Sequence, residues 1–285
     1  MKTKILVTGS NSFVGYELIK YLSKYNYDII ATYRRKRKKF NKKKIKLIKL
    51  NLKDKFKLNK EFKVLIHCAS VTPPNEKGQN YFKTNILGLK RLLKQSFNLQ
   101  CKKIILVSSS VVYGSMGKPV SEKSLCKGKS TYAKSKLKME DVALKFSKEN
   151  KIDLTIIRLS QIVGKNSINN YLSELKGIIK NKKPVVYLQS NNDIFNNICH
   201  ISDVCKNIKK IIHSNHTKIK NKIFNFVSRK PTTIKNLKIA ILKFNKKAIF
   251  KKNKIPKFYK ISSDKNDKYN LRFQKTLNII KSELR

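Results

Sequence analysis

Short unbroken runs of Ile, Leu and Val alternate with longer amphipathic stretches through the first half of the chain. Residues 4–8, 28–33, 45–50, 64–69, 103–108 and 154–159 read as strands. Helices are expected from Val14 to about Tyr25, from Tyr81 to Phe97 and from Thr131 to Lys148. Strands apolar on both faces and separated by helices predict a parallel sheet covered on both sides. The expected fold class is therefore α/β, a doubly wound parallel sheet. After Gly164 the pattern becomes irregular. Residues 185–188 and 223–227 read as strands and 204–212 as a helix, and the last forty or so residues are basic and weakly patterned. Residues 1–164 are expected to form the main domain and 165–285 a smaller lobe, with segments at about 198–228 returning to the main domain.

Composition changes this picture little. An apolar share of 40% over 285 residues supports a sizeable core. The five cysteines lack C-x-x-C pairs and framework spacing, which suits reduced thiols in a cytoplasmic protein. The apolar run Ile5-Leu6-Val7 stops at Thr8-Gly9, too short for a secretory leader, and no stretch approaches the ~18 apolar residues of a membrane span. The formal charge of +51 invites a nucleic-acid reading, but the basic residues are 59 Lys and only eight Arg, spread over the whole chain. Lys, Asn and Ile share A/T-rich codons, so genome bias accounts for the excess and no specific nucleic-acid partner is expected. Nonspecific adhesion to polyanions at low salt, released as salt rises, follows in any case.

The candidate chemistry centres on Tyr132-Ala133-Lys134-Ser135-Lys136. In a helix Tyr132 and Lys136 share one face. A lysine ammonium beside a phenol is expected to lower the tyrosine pKa from its reference near ~10, making Tyr132 a general acid or base. Thr8-Gly9-Ser10-Asn11-Ser12-Phe13-Val14-Gly15 follows the first strand and opens a helix, the context of a dinucleotide fingerprint. Gly9 would make the tight turn, Gly15 would let helix and strand pack closely, and the helix N-terminus would face a pyrophosphate.

These segments resemble the extended short-chain dehydrogenase/reductase family, the NAD-dependent epimerase/dehydratase group. The Gly9–Gly15 turn is similar to its T-G-x-x-G-x-x-G. Residues 64–70 resemble its V-I-H-x-A-A, residues 85–88 its N-x-x-G and residues 107–114 its S-S-x-x-V-Y-G. Residues 132–136 match its Y-x-x-x-K, residues 158–164 a worn R-P-x-x-x-Y-G-P, residues 200–204 its H-V-x-D-V and residues 224–227 its Y-N-V-G. The resemblance implies a Rossmann domain with a small C-terminal substrate-binding lobe. It implies that Tyr132 moves a proton on a sugar oxygen, that Ser109 hydrogen-bonds that oxygen and that Lys136 holds the nicotinamide ribose. It places the cofactor against Thr8, Gly9, Asn11, Ser12, Phe13, Val14, Gly15, Asn51, Leu52, Cys68, Ala69 and Ser70, besides Tyr132 and Lys136. Asn85, His200 and Asp203 are expected to be structural, and no metal is expected. His213 and His216 read as a solvated pair in a polar loop.

Three departures refine the expectation. Ser12 replaces the glycine whose bare backbone lets a pyrophosphate approach. The second strand ends at Tyr33 with no carboxylate nearby, and Arg34 and Arg35 follow, with Arg37 close behind. An acid would repel a 2′-phosphate and an arginine fork would bind it, which favours NADP over NAD. Asn196 stands where many sugar-nucleotide epimerases carry an arginine on the substrate diphosphate. No carboxylate follows Ser109-Ser110, which disfavours a dehydratase. The expected activity is an NAD(P)-dependent epimerase or 4-ketoreductase acting on a sugar, a nucleotide-linked one as the resemblance implies; the alternative is a dinucleotide-binding sensor or scaffold without turnover. A homodimer through the helices carrying Asn85 and Tyr132 is also implied.

Overall fold

The structure is a computed structural model that describes residues 2–35, 40, 44–73, 81–114, 119–167, 170–181, 185–188, 193–214, 222–252 and 259–285. Lys36, Arg37 and most of the basic run that follows, Asn191, Asn192 and His216 lie outside the described residues.

The first half lays down β1 (Thr3–Thr8), α1 (Phe13–Leu22), β2 (Tyr27–Tyr33), β3 (Ile45–Lys49) and β4 (Val64–His67). A π-helical turn (Phe82–Leu87) then runs into α2 (Gly88–Asn98), followed by β5 (Lys103–Ser109), a 3-10 turn (Ser110–Tyr113), α3 (Thr131–Asn150) and β6 (Asp153–Leu159). The second half contributes β7 (Gln161–Val163), α4 (Tyr171–Lys180), β8 (Val185–Leu188), β9 (Ile194–Phe195), β10 (Ile198–His200) and α5 (Ile201–His213). It continues with β11 (Lys222–Phe226), β12 (Thr232–Thr233), α6 (Ile234–Leu242), β13 (Ile249–Lys252), α7 (Asp264–Lys268) and α8 (Thr276–Leu284).

The seven-stranded sheet has the order β11-β6-β5-β4-β1-β2-β3, and the pairs from β3 through β5 run parallel. The order reverses at β1, the switch point where a doubly wound sheet opens a crevice at its carboxyl ends. The register brings those ends level: Thr8 faces His67, and Tyr33 faces Lys49. β1, β4 and β5 bury nearly every side chain, as a sheet covered on both faces requires. One core layer joins Leu6, Leu65, Leu92, Leu93, Leu106 and Ile156.

Local chemistry starts and stops the helices. Ser130 caps α3 by accepting the Ala133 N–H at 3.1 Å, and Lys151 ends it in the left-handed region at φ 53°. The C-terminus of α5 is closed by Lys103, whose Nζ donates to the carbonyls of Ile211 and Ser214 at 2.9 and 2.8 Å and pairs with Asp153 at 3.4 Å. A buried cation there satisfies end carbonyls and complements the helix dipole.

Two compact units divide the chain. The first takes residues 1–114, 126–158 and 205–224, and the second takes 115–125, 159–204 and 225–285. The division therefore differs from a single boundary at Gly164: residues 115–125 and 159–164 group with the second unit. That unit has its own core, with Val163, Leu172, Phe195, Ile234, Ile241 and Ile280 packed together. The weakly patterned tail contributes α7 and α8, and α8 buries Ile279, Ile280 and Leu284. Among the described residues no helix is long and apolar enough to cross a membrane, no metal-ligand cluster is found, and all five cysteines are free.

Two helix expectations need correction. α1 ends at Leu22, three residues early: the N–H groups of Lys24 and Tyr25 bond to the carbonyls only three residues back, Tyr21 and Leu22, and tighten the last turn. The continuous helix over 81–97 begins with the π turn, which swings Asn85 inward.

Candidate functional site

A cleft of about 680 Å³ opens at the carboxyl ends of β1, β2 and β4. Gly9, Asn11, Ser12, Arg34, Arg35, Asn51, Leu52, Ala69 and Ser70 line it, together with Thr32, Tyr33, Lys53, Val71, Thr72 and Thr84. Its volume is within the range of cofactor sites. Among the described residues the wall contains three basic side chains and no carboxylate.

Gly9 turns the chain at φ 79°, and a β-carbon there would stand 2.8 Å from the Ala69 nitrogen. Both facts require glycine. Ser10 ties the turn to β2 by donating its N–H to the Thr32 carbonyl at 2.9 Å. Ser12 behaves differently from a phosphate-facing glycine. Its backbone, φ −70° and ψ 156°, suits any L residue. Its hydroxyl turns into the chain, donating to the Gly9 carbonyl at 2.8 Å and accepting the Gly15 N–H at 3.0 Å. The serine thus acts as an N-cap. Phe13 and Val14 supply the first N–H groups of α1, which have no helical acceptor of their own. Gly15 packs so closely that a β-carbon would overlap the Gly9 oxygen at 2.2 Å. These features fit a dinucleotide: a helix N-terminus for the pyrophosphate, a glycine turn and basic residues at the end of β2.

Some residues expected at the cofactor lie beneath the cleft wall. Thr8 is fully buried, with its hydroxyl 2.8 Å from His67 Nδ1 and accepting the Ala69 N–H at 3.2 Å. Its side chain joins the ends of β1 and β4. Cys68 is buried, and burial pushes its thiol up to about 12.

Ser109 ends β5, and Tyr132 and Lys136 lie on α3. Tyr132 is half-buried against Tyr81, with ring centroids 6.2 Å apart. Its pKa is raised to about 12, chiefly by burial; the hydrogen bond with Ser109 pulls it down, and Tyr81 pushes it up. The expected lowering by Lys136 is therefore reversed here. The Lys136 Nζ donates to the Val107 carbonyl at 3.1 Å and lies 5.8 Å from the Tyr132 ring centre. Burial lowers the Lys136 pKa to about 8, against upward pulls from Cys68 and Glu140.

That depressed lysine gives a stability prediction. The folded pKa lies below the unfolded value, so between about pH 8 and 10.5 the unfolded chain holds a proton that the folded chain has lost. Stability attributable to Lys136 therefore rises with pH through that window, and the penalty is greatest below it. Lys136→Met should melt at or above the wild-type temperature at pH 7 and lose that advantage by pH 10. Parallel thermal melts test this; an advantage constant with pH would refute it.

Behind the triad lies a buried charged network absent from the sequence expectations. Arg158 on β6 donates through Nη2 to Glu140 Oε2 at 2.7 Å and through Nε to Glu140 Oε1 at 3.1 Å. Ser108 donates to Glu140 Oε1 at 2.5 Å, and Arg158 Nη1 reaches the Tyr113 hydroxyl at 3.0 Å. Glu140 lies one helical turn beyond Lys136, so the i, i+4 spacing that links Tyr132 to Lys136 could also have revealed it.

The remaining polar residues do structural work. Asn85 accepts the Val71 N–H at 2.8 Å and donates to Ser135 at 3.2 Å, joining the loop after β4 to α3. His200 Nδ1 accepts the Ser202 N–H at 3.2 Å, and Asp203 accepts the Gln274 N–H at 2.8 Å. Asn196 is fully buried and bonds the carbonyls of Ser228 and Ile261, both at 2.9 Å. His213 is exposed, as expected, but it ends α5 rather than lying in a loop, and it stacks on Tyr27 at 5.7 Å and hydrogen-bonds the Tyr27 hydroxyl.

Known proteins resemble this chain in sequence and fold. A protein of Methanocaldococcus jannaschii named "Putative UDP-glucose 4-epimerase" is 26% identical over 91% of this chain and 89% of its own length. An uncharacterized protein of the same organism is 30% identical, covering 87% of this chain and 83% of that protein. The crystal structure of UDP-glucuronic acid 4-epimerase from Bacillus cereus in complex with NAD superposes with a TM-score of 0.82. That match covers 99% of this chain and 96% of the other at 20% identity, a likeness of fold. The model of the NAD dependent epimerase/dehydratase family matches residues 5–226, which include the glycine turn, the cleft wall and the Ser109, Tyr132 and Lys136 set, and the chain belongs to that family.

Proposed function

We propose that the chain is a nicotinamide-dependent enzyme acting at a carbinol carbon of a nucleotide-linked sugar, with epimerisation at C4 as the overall reaction. The observation that carries this reading is the convergence of Ser109, Tyr132 and Lys136 beside the β4 end, whose Ala69 and Ser70 line the dinucleotide cleft. The relatives named as UDP-sugar 4-epimerases support the substrate class.

Gly9, the first turn of α1 and Ala69–Ser70 would hold the dinucleotide. A nicotinamide bound there would supply the hydride acceptor and donor for the sugar carbon. Tyr132 moves the accompanying proton at the sugar oxygen, and Ser109 orients that oxygen. Lys136 stabilises the phenolate form once its ammonium leaves the Val107 carbonyl. The two changes balance: one hydride leaves carbon and one proton leaves oxygen on oxidation, and both return on reduction.

A second reading, 4-ketoreduction with exchange of NADP(H), has two observations behind it. Tyr132 is held neutral, which suits proton donation to a ketone. Arg34 and Arg35 line the cleft where a 2′-phosphate would lie, with no carboxylate among the lining residues. The NADP preference rests on those arginines, whereas the B. cereus enzyme was crystallised with NAD.

One experiment separates these readings. UDP-glucose and UDP-glucuronic acid are incubated with each nicotinamide in both oxidation states. Formation of the C4 epimer without net change in nicotinamide absorbance supports the epimerase. Stoichiometric oxidation of NADPH by a 4-keto sugar supports the reductase, and neither product would overturn both. Arg34→Ala/Arg35→Ala is expected to weaken NADP binding about tenfold or more and NAD binding little. Equal losses would remove the NADP preference.

The homodimer is inferred through the same helices. Phe97 on α2 and Leu144 on α3 expose large apolar side chains, 44% and 37% respectively. Light scattering showing a monomer at micromolar concentration would refute it.

A further inference from the structure

A second cleft, of about 470 Å³, lies at the opposite ends of the same strands. Lys4 on β1, Asp28 and Ile30 on β2, Lys44 and Lys46 around the start of β3, and Lys60 and Glu61 from the loop before β4 line it. The strand register explains the convergence. Lys4 pairs with Asp28, and Ile30 pairs with Lys46. Alternation along β2 puts residues 28 and 30 on one face, so Lys4 and Lys46 project from that face as well. Five steps along the chain take Lys4 to Gly9, roughly 16 Å at about 3.3 Å per residue. The second cleft is thus separate from the dinucleotide cleft.

Its electrostatics are unusual even for this chain. Four ammonium groups share one concavity with two carboxylates, and none of the ion pairs among the described residues joins those carboxylates to these lysines. Lys46 and Lys60 are both exposed at the rim, and the nearness of Lys46 is the first reason that the Lys60 ammonium is held below the usual lysine range; burial and the charges of Lys46 and Lys4 add to it. Four ammonium groups outnumber the two carboxylates, Asp28 and Glu61, and the excess positive charge is self-repelling. An anion with several oxygens removes that repulsion and satisfies several ammonium donors at once.

We propose that this cleft is a binding site for a small oligophosphate, either inorganic or carried by a nucleotide. Its four lysines supply point-charge donors suited to phosphate oxygens. Its size matches a nucleotide-sized ligand and is far smaller than a nucleic-acid footprint.

The test must separate a built site from diffuse charge. Tripolyphosphate and ADP are titrated calorimetrically against the full chain at 0.15 M salt. An Arg34→Ala/Arg35→Ala background keeps the cofactor-cleft arginines from contributing. Lys46→Gln/Lys60→Gln is compared with Lys243→Gln/Lys246→Gln, which removes the same charge from exposed positions in the second unit. The proposal expects saturable 1:1 binding that falls about tenfold or more in the first pair and stays within about twofold in the second. Tighter ADP binding would assign a nucleotide, and tighter tripolyphosphate binding an inorganic chain. Equal losses in both pairs, no saturation at 0.15 M salt, or binding only of a long RNA would overturn it. Sugar turnover has no part in these readouts, so failure here leaves the proposed activity untouched.

Discussion

Tyr132→Phe is expected to fold and bind dinucleotide as the wild type does, while losing turnover by about 10²–10⁴-fold. The substitution removes one oxygen. The ring keeps its packing against Tyr81, 6.2 Å away between centroids. The lost hydroxyl is the acceptor for the Ser109 O–H; Ser109 still accepts the Val111 N–H at 3.3 Å, and its own O–H, on a partly exposed residue, can turn to solvent. No buried donor is stranded, so the melting temperature should move by little. The chemical step, in contrast, loses its proton carrier. A role confined to packing would leave turnover within a few-fold of wild type. Turnover on a sugar nucleotide, melting temperature and dinucleotide affinity measured on the same preparation test this; unchanged turnover would sink the catalytic assignment. The same result would favour a dinucleotide-binding sensor without turnover; Ser12 in the glycine turn lends that reading little support, because it caps α1 through ordinary backbone angles.

The sequence displays some of this architecture and hides the rest for identifiable reasons. β1, β4 and β5 are legible because a strand buried on both faces must be a continuous apolar run. The glycine turn is legible because Gly9 and Gly15 have no tolerated substitute in the space available. The π turn at Phe82–Leu87 is hidden because one extra residue per turn barely disturbs an amphipathic pattern. The short strands β7, β9, β10 and β12 have two or three residues each, too few to establish a period of two. The bonds of Asn196 and His213 are hidden because their partners, Ile261 and Tyr27, are distant in sequence. The direction of the Tyr132 shift escapes any motif, because it depends on how deeply the phenol is buried and where Lys136 points.

Arg158→Met should cost about 3–5 kcal/mol of stability, the largest loss expected from a single change outside the apolar core. Arg158 and Glu140 are both about 5% exposed or less, and their contact uses three hydrogen bonds. Methionine fills much the same volume, so the loss is chiefly electrostatic: it leaves the Glu140 carboxylate buried with Ser108 as its close donor. Lys136, one turn earlier on α3, becomes the nearest cation. Glu140 already pulls the Lys136 pKa up, and with Arg158 gone that pull should strengthen. Lys136 would then be drawn toward Glu140 and away from the sugar oxygen that Tyr132 serves. Activity should consequently fall further than the unfolded fraction explains. Glu140→Leu/Arg158→Met removes both charges and should cost less than the sum of the two single changes, because neither charge is left alone. Urea denaturation of the four proteins gives the coupling directly. A loss under about 1 kcal/mol in Arg158→Met, or simple additivity in the double variant, would show that α3 is held to β6 by apolar packing and that the charged pair contributes little to positioning Lys136.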